Sequence, residues 1–356
     1  MIGVEGTPAP DEQVGVGTRR RACGLRFAGG LDQAIVAGPL FGKVCDVQES
    51  EKIWQNGSLI DWGEARVHVL SHALHYGTSV FEGIRAYQTD RGPAVFRLDD
   101  HLARLERSAA MYYMPIPYTR QELRTAVHQT IGVNELHSCY IRPLVFRGYG
   151  TMGLFPLDAP VDVAIAVWEW GAYLGEDGLK NGIRAKIASW RRIGNNAIPA
   201  AAKAGGQYLN SILAKIETQK AGYQEAILLN EQGYVADGSG ENIFVVKNGL
   251  LTTPPVGASI LEGITRNTII DLAREEGIDV IERDIARSEL YFADEVFVTG
   301  TAAEVCPLNE IDEHVLGPPG PMTRRLQERF FKVTEGKDPR SAEWLDYVEV
   351  PAQAPR

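Results

Sequence analysis

Short strand signals separated by tight-turn residues run along the chain and constrain its fold more than any other feature. The segment KIWQNGSLIDW places Asn56-Gly57 between two apolar runs, a pattern typical of a two-residue β-hairpin. Residues 83–98 predict a second hairpin that turns at TDRG, and residues 225–255 predict two more that turn at NEQG and KNG. Together with scattered helices, these hairpins indicate an α+β fold.

Three segments between the hairpins carry the apolar spacing of amphipathic helices. The first would be capped by Asp99 or Asp100. The third, LEGITRNTIIDLAREEG, would end at Gly277. The apolar faces are formed by Leu102, Leu105 and Ala109 in the first helix and by Leu209, Ile212, Leu213 and Ile216 in the second.

A length of 356 residues is enough for two domains with separate cores. The glycine-rich stretch WGAYLGEDG interrupts the periodic pattern and predicts a short interdomain loop. The predicted division is a disordered, Gly- and Pro-rich extension at 1–51, a small domain at 52–169, the loop at 170–178, a large domain at 179–350 and a tail at 351–356.

Charge and cysteine usage restrict the partners and the compartment. The net charge of −10 argues against a nucleic-acid-binding protein, and no apolar stretch approaches the roughly 20 residues that span a bilayer. The cysteines stand far apart, which disfavours a disulfide framework or a metal site and favours the cytoplasm: Cys23, Cys45, Cys139 and Cys306. A secretory signal within residues 18–44 is the alternative, but Arg26 and Asp32 interrupt its apolar part.

Lys203 stands among small residues in PAAAKAGGQY, between a predicted strand and a predicted helix. Small neighbours allow another group to approach the amine, although an exposed lysine in a turn is the alternative. Pyridoxal phosphate is a flat cofactor that could approach such a lysine closely and bond to its amine. Besides the lysine, it needs an acid at the ring nitrogen, donors for its phosphate and an apolar contact for its ring.

The chain contains candidates for these other groups. EGITRN opens a predicted helix, whose first N–H groups and dipole favour a phosphate. VTGTAAE adds a small-residue loop with hydroxyl groups after a strand. Asp237 and Glu241, in VADGSGEN, are the candidate acids, while an ordinary hairpin is the alternative interpretation of that segment.

Seven motifs occur in one order along the chain: SHALHYGTSVFEGIRAY, YIRP, WGAYLG, PAAAKAGGQY, GSGENIF, LEGITR and VTGTAAE. In this order they resemble the branched-chain amino-acid aminotransferases, which are fold-type IV pyridoxal-phosphate enzymes. The resemblance extends from about Lys52 to about Val350. It implies two α/β domains joined by a short loop. It also implies reversible amino transfer between L-leucine, L-isoleucine or L-valine and 2-oxoglutarate.

The resemblance implies a role for each matching residue around the cofactor. Lys203 would bond to the cofactor aldehyde and move a proton between the substrate Cα and the cofactor. Tyr208 would donate to the ring oxygen, and Leu261 would pack on the ring face. The phosphate would be held by Arg104, Ile264, Thr265 and Thr301.

The acid at the ring nitrogen is where this sequence departs from the family, which has glutamate before the GSGEN-type loop. Here the residue is Asp237, one methylene shorter. Either the backbone moves inward or a water bridges the gap. Glu241 is the rival acid, and Asp237 is preferred because a charge pair weakens with distance.

The substrate pocket must accept both an apolar side chain and the γ-carboxylate of glutamate. By resemblance Tyr140 and the Thr301-Ala302 backbone hold the α-carboxylate, and Arg142 with Tyr76 holds the γ-carboxylate. The predicted apolar wall consists of Phe81, Trp170 and Tyr173, although core packing is the alternative for the first two. Tyr76, Met152 and Leu154 would enter from a neighbouring subunit, which implies a homodimer or a larger homo-oligomer.

Other activities of the same fold remain open. D-amino-acid and (R)-amine transaminases are two of them, and the D-amino-acid enzymes would differ from YIRP at this strand. An aminodeoxychorismate lyase would need no γ-carboxylate site, so Arg142 argues against it. A binding protein without activity would not need Lys203.

Overall fold

The computed structural model describes residues 47–171 and 174–348, which form two β-sheets with helices packed on them. The predictions for residues 1–46, for Tyr173 and for the segment after Val348 lie outside the described residues.

The strands of the described chain, in order, are β1 (Lys52–Gln55), β2 (Ser58–Asp61), β3 (Ser79–Phe81), β4 (Ile84–Thr89), β5 (Gly92–Phe96), β6 (Cys139–Arg147), β7 (Val161–Trp168), β8 (Ile183–Arg191), β9 (Glu225–Leu229), β10 (Val235–Gly238), β11 (Asn242–Lys247), β12 (Leu250–Thr253), β13 (Val280–Glu282), β14 (Glu295–Gly300), β15 (Glu304–Ile311), β16 (His314–Val315) and β17 (Leu345–Tyr347).

The α-helices of the same residues are α1 (His72–Tyr76), α2 (Leu98–Met111), α3 (Arg120–Val133), α4 (Gly175–Asn181), α5 (Tyr208–Lys220), α6 (Ile264–Glu275), α7 (Arg287–Tyr291), α8 (Pro321–Thr334) and α9 (Ser341–Trp344). Short 3₁₀ turns lie at Trp62–Glu64, Gly205–Gln207 and Val256–Ala258. None of the described helices has the length and apolar character that crossing a bilayer requires.

The first sheet has the strand order β17-β5-β4-β6-β7-β1-β2, with β3 also paired to β6. Two predicted hairpins lie in it: β1–β2, which turns at Asn56-Gly57, and β4–β5. Asn56 and Gly57 both have positive φ, as this tight turn requires. The last described strand, β17, pairs with β5, so the chain returns to the first sheet after it has formed the second.

The second sheet has the order β10-β9-β8-β15-β14-β11-β12-β13, with β16 on β15. Its hairpins β9–β10 and β11–β12 confirm the other two predicted turns. Strand β8 pairs in parallel with both β9 and β15, and the segment that follows β8 carries Lys203. The two-domain division stays a prediction.

Buried apolar side chains pack α2 and α3 onto the first sheet. Leu102, Leu105 and Ala109 are fully buried there, as their spacing predicts, and each leucine contributes roughly 2 kcal/mol. A second cluster packs α6 and α8 against strands of both sheets, with Phe96 and Phe330 in contact.

Three local predictions differ from the structure. Helix α2 begins at Leu98 with Arg97 as its N-cap, so Asp99 and Asp100 lie in the first turn instead of capping it. There their negative charges still interact favourably with the positive end of the helix dipole. Helix α4 begins at Gly175, inside the predicted 170–178 loop, because a short glycine-bounded helix has no periodic apolar signal.

The third difference is the apolar stripe of α5, which faces away from the core. Its buried side chains are instead the small ones, Ser211, Ala214 and Thr218. Small residues allow α5 to lie close against β8 and β9. The stripe itself is 43–69% exposed and consists of Leu209, Ile212, Leu213 and Ile216.

Candidate active site

The small residues around Lys203 allow two backbone segments to lie close together. Ala204 forms a β-bridge with Val80, and the Phe81 N–H donates to the Lys203 carbonyl at 3.1 Å. A Cβ at Gly77 would lie 3.1 Å from Cα of Gly206. The residues around the lysine are therefore small because the first sheet packs against them, and the lysine backbone is held rigidly.

The Lys203 amine lies beside two aromatic rings. Its Nζ donates to the Tyr208 hydroxyl at 2.7 Å and lies 5.0 Å from the centre of the Phe81 ring. The two rings are 5.0 Å apart. Ser108 of α2 accepts from the Lys203 backbone N–H at 3.0 Å, which joins this segment to a buried helix.

Asp237, in β10, is a buried acid within electrostatic reach of Lys203. Burial raises its pKa to about 6, and Arg192, the Leu261 N–H and Lys203 oppose that rise. Oδ1 of Asp237 is buried and has no hydrogen-bond partner among the described residues. A buried carboxylate oxygen without a donor is costly unless a ligand supplies one.

Glu241 faces a different set of groups. Its Oε2 accepts from the Gly240 N–H at 3.0 Å, and burial together with the nearby Glu225 raises its pKa to about 8. Lys215 pairs with Glu225, and the Ser239 hydroxyl donates to Glu225 at 2.6 Å. The raised pKa favours the neutral form of Glu241, which is a poorer partner for a positive ring nitrogen than a charged carboxylate.

Arg104 of α2 joins two loops. Its Nε and Nη2 donate to the two oxygens of Glu82 at 2.7 and 2.8 Å, and Nη1 donates to the Glu262 carbonyl at 2.8 Å. His101 contacts the same carboxylate at 2.8 Å through Nδ1. The guanidinium is thereby held next to the segment that opens α6.

That segment presents backbone groups at the start of a twelve-residue helix. Ile264 and Thr265 are the first two residues of α6, after the N-cap Gly263, so their N–H groups have no acceptor within the helix. Asn242 donates to the Leu261 carbonyl at 2.8 Å, while the Leu261 N–H binds Asp237. Leu261 is thus held between the acid and the helix start.

Tyr140 and Arg142 lie on β6 within an aromatic group. Arg142 Nη2 donates to the Tyr140 hydroxyl at 3.0 Å, and its guanidinium lies 4.6 Å from the centre of the Phe81 ring. The Trp170 ring lies 4.9 Å from that of Tyr140. Gly83 is required here, since a Cβ at this position would overlap the Tyr140 hydroxyl.

A buried ion pair links this group to the turn that contains Thr301 and Ala302. Arg85 is the register partner of Tyr140 across β4 and β6, and its Nη1 lies 3.2 Å from Oε1 of Glu304. Glu304 directly follows the turn between β14 and β15. The predicted α-carboxylate residues therefore belong to two sheets that this pair joins.

The structure places the remaining predicted residues on an exposed face. Tyr76 ends α1 and is 45% exposed, and Met152 and Leu154 are 43% and 90% exposed. His72 contacts both segments, since its ring lies 4.5 Å from that of Tyr76 and its Nε2 bonds the Gly153 carbonyl at 2.8 Å.

A family model, amino-transferase class IV, matches residues 79–311, which include Lys203, Tyr208 and Asp237. The chain belongs to the class IV aminotransferases.

Several relatives of this aminotransferase match it over nearly their whole length. The branched-chain-amino-acid aminotransferase of Escherichia coli (strain K12) is 49% identical over 304 residues, which cover 85% of this chain and 98% of the relative. A crystal structure of that enzyme from E. coli matches with a TM-score of 0.83 at 49% identity and covers 85% of this chain and 100% of its own.

A third match is a branched-chain amino acid aminotransferase from T.th., complexed with N-(5'-phosphopyridoxyl)-L-glutamate. It has a TM-score of 0.80 at 45% identity and covers 85% of this chain and 99% of its own. The family, the α+β fold class, the aminotransferase reaction and the pyridoxal phosphate cofactor predicted from the sequence are thereby confirmed.

Several residues that hold the predicted site together were missed by sequence reasoning. They contact the predicted residues through side chains distant in sequence: Glu82, Arg85, His101, Ser108 and Arg192. The spacing of polar residues in α2 is a sequence signal that could have found two of them. His101, Arg104 and Ser108 are polar residues at helical spacing on the buried side of α2, where polar side chains need partners.

Proposed function

We propose that this protein is a branched-chain amino-acid aminotransferase. It transfers the amino group between L-leucine, L-isoleucine or L-valine and 2-oxoglutarate, reversibly, to give the branched 2-oxo acid and L-glutamate. The order of its motifs and its similarity to branched-chain-amino-acid aminotransferases support this substrate class. Pyridoxal phosphate supplies an electron-withdrawing ring that stabilises negative charge at the substrate Cα.

The observation that supports the proposal is that the Lys203 amine and the buried Asp237 carboxylate lie within electrostatic reach of each other. The lysine amine lies beside the Tyr208 hydroxyl, and the buried Asp237 Oδ1 lacks a donor that a protonated ring nitrogen would supply. These groups fit the cofactor. In this role Lys203 binds the aldehyde and moves the proton at Cα, while Asp237 keeps a proton on the ring nitrogen.

The phosphate would bind at the start of α6. Ile264 and Thr265 offer backbone N–H groups and the positive end of the helix dipole, and Arg104 reaches this segment through the Glu262 carbonyl. Thr301, in the turn after β14, offers a hydroxyl. Leu261, next to the acid, would pack against the ring.

The substrate side chain would bind against the aromatic group around Arg142. Phe81, Tyr140 and Trp170 provide apolar contact for a branched side chain. Arg142 rests on ring faces and donates to one hydroxyl, so it can turn toward a γ-carboxylate when glutamate binds. Tyr140 and the Thr301-Ala302 backbone would hold the α-carboxylate.

A homodimer would complete the pocket. Tyr76 and Met152 are exposed, as are the nearby apolar residues Leu74, Leu154 and Phe155, which are 61–90% exposed. Exposed apolar side chains in such numbers are typical of an interaction surface. We place Tyr76, Met152 and Leu154 at the partner's active site and the enzyme in the cytoplasm. The two described cysteines, Cys139 and Cys306, are buried and unpaired, which suits a reducing compartment.

The test is a half-reaction without any 2-oxo acid acceptor. Purified enzyme is mixed with L-leucine or, separately, with D-alanine, and the cofactor absorption spectrum is followed. Conversion of the cofactor to its amino form by L-leucine alone supports the proposal. Conversion by D-alanine alone would assign the protein to the D-amino-acid transaminases, and conversion by neither would favour the lyase activity.

A further inference from the structure

Glu82 is a completely buried acidic residue next to the predicted phosphate site, and it directly follows Phe81. Arg104 and His101 surround its carboxylate, with three contacts of 2.7–2.8 Å. Although burial acts to raise the pKa of Glu82, Arg104 and His101 lower it well below its usual range, so the carboxylate is charged.

The contacts described for Arg104 use only part of its hydrogen-bond donors. Of the five guanidinium N–H bonds, three are donated within the described residues, two to Glu82 and one to Glu262. Each of Nη1 and Nη2 carries two N–H bonds and donates one of them, which leaves one on each nitrogen. Guanidinium N–H donors of this kind suit a phosphate.

Electrostatic attraction does not explain why a glutamate lies here. A carboxylate close to a phosphate repels it, so Glu82 weakens binding through its charge alone. Its contribution is geometric, because a bidentate carboxylate fixes both the plane and the direction of the guanidinium. A guanidinium that is already fixed loses less conformational freedom when its ligand arrives.

We propose that Glu82 is a positioning residue for the cofactor phosphate: it fixes the Arg104 guanidinium toward the start of α6, and His101 holds Glu82 in place. This inference rests on the phosphate role proposed for Arg104. The Phe81 N–H that binds the Lys203 carbonyl belongs to the residue next to Glu82. One short segment therefore positions both the lysine backbone and the Arg104 guanidinium.

The test compares two ligands that differ only in the phosphate. Full-length protein freed of cofactor is titrated with pyridoxal phosphate and with pyridoxal. The dissociation constant for pyridoxal divided by that for pyridoxal phosphate measures the contribution of the phosphate. Glu82→Asp keeps the charge but shortens the side chain, so it cannot retain all three contacts. We expect the ratio to fall about tenfold, as one charge-assisted hydrogen bond is lost, with little change for pyridoxal.

A matched control is available on the same helix as Arg104. Glu106 is a partly exposed residue that pairs with Arg120, and Glu106→Asp should leave the ratio unchanged. His101→Phe removes the support of Glu82 while keeping a ring, and it should lower the ratio in the same direction by about threefold. If Glu82→Asp fails to fold, the His101 variant tests the positioning role of Glu82 in its place.

Arg104→Ala separates the two proposals. If it lowers the ratio while Glu82→Asp and His101→Phe leave the ratio at the wild-type value, the positioning role of Glu82 is wrong and the phosphate role of Arg104 stands. If Arg104→Ala also leaves the ratio unchanged, the phosphate assignment itself is wrong. An equal loss of affinity for both ligands in the Glu82 variant would show a purely structural role and overturn the inference.

Discussion

Arg192 lies beside Asp237, with its Nε 3.4 Å from Oδ1 of the carboxylate, and both side chains are at most 10% exposed. Arg192 is itself held by the Ser211 hydroxyl at 3.1 Å. The pair is an ion pair without a hydrogen bond, since Oδ1 has no hydrogen-bond donor among the described residues. The arginine therefore favours the charged carboxylate while leaving its oxygen available to a ligand.

Lys203→Ala should abolish transamination, because no other described amine is placed beside Tyr208 and Phe81 in this way. The cofactor absorption band that depends on the lysine should disappear as well. Activity with L-leucine and 2-oxoglutarate and the absorption spectrum are the measurements. Lys220→Ala, at the end of α5, is the control and should retain both. Turnover by the Lys203 variant would remove the central claim.

Asp237→Asn should still bind cofactor but lose activity by a factor of about a hundred or more, because a neutral amide cannot keep the ring nitrogen protonated. Glu241→Gln should retain most of the activity, since burial and the nearby Glu225 raise the pKa of Glu241 and favour its neutral form, which glutamine resembles. Steady-state kcat for L-leucine measures both variants. If the Glu241 variant shows the larger loss, the acid has been assigned to the wrong residue.

In the cofactor-free protein, burial of the charged Asp237 should lower the free energy of unfolding. Burial raises its folded-state pKa from 3.8 to about 6, so between these pH values the folded state binds more protons than the unfolded state. Stability therefore falls as pH rises through this window. The fully charged carboxylate costs roughly 3 kcal/mol above it.

Asp237→Asn removes that cost, so the variant without cofactor should become more stable than wild type as pH rises from about 4 to about 6.5. Thermal unfolding at a series of pH values measures the difference. Asp284→Asn, at an exposed position, should follow the wild-type curve. A stability difference that does not change with pH would contradict the buried titration.

Arg142→Gln should impair glutamate more than leucine. Loss of the guanidinium removes a charged partner of the γ-carboxylate but leaves the aromatic contacts for an apolar side chain. We expect KM for 2-oxoglutarate to rise about tenfold or more while KM for L-leucine changes little. Equal increases for both substrates would mean that Arg142 only supports the fold.

Mixing two inactive variants should restore activity if the pocket is shared between subunits. Lys203→Ala has an intact Tyr76, and the double variant Tyr76→Ala, Met152→Ala has an intact lysine. After dissociation and reassembly, half of the dimers are mixed and each holds one complete site, so about a quarter of the wild-type activity should return. If mixing restores nothing, these residues do not act across an interface.

The sequence predicted elements that depend on neighbours in the chain. The Asn56-Gly57 turn and the start of α6 near Ile264 follow from local backbone preferences. The sequence did not reveal the pairing of Glu82 with Arg104 or of Arg192 with Asp237. These contacts join separate elements, and nothing in the local pattern specifies which charges meet.

The apolar stripe on α5 is a second case in which the local pattern does not specify the contact. Helical spacing predicts that one face is apolar, but it does not state whether that face meets the protein's own core. In α5 the small residues Ser211 and Ala214 occupy the inner face, because the strands beneath leave little room. Roles such as that of Arg142 came from the resemblance, since a lone arginine on a strand has no distinctive local signature.

The return of β17 to the first sheet determines when that sheet can be completed during synthesis. The partner strand β5 leaves the ribosome early, whereas Leu345–Tyr347 are translated only after the whole second sheet. Until then one edge of β5 lacks its hydrogen-bonding partner and can pair with another chain. A nascent chain that stalls before residue 345 therefore carries an open edge and is a substrate for chaperones or for aggregation.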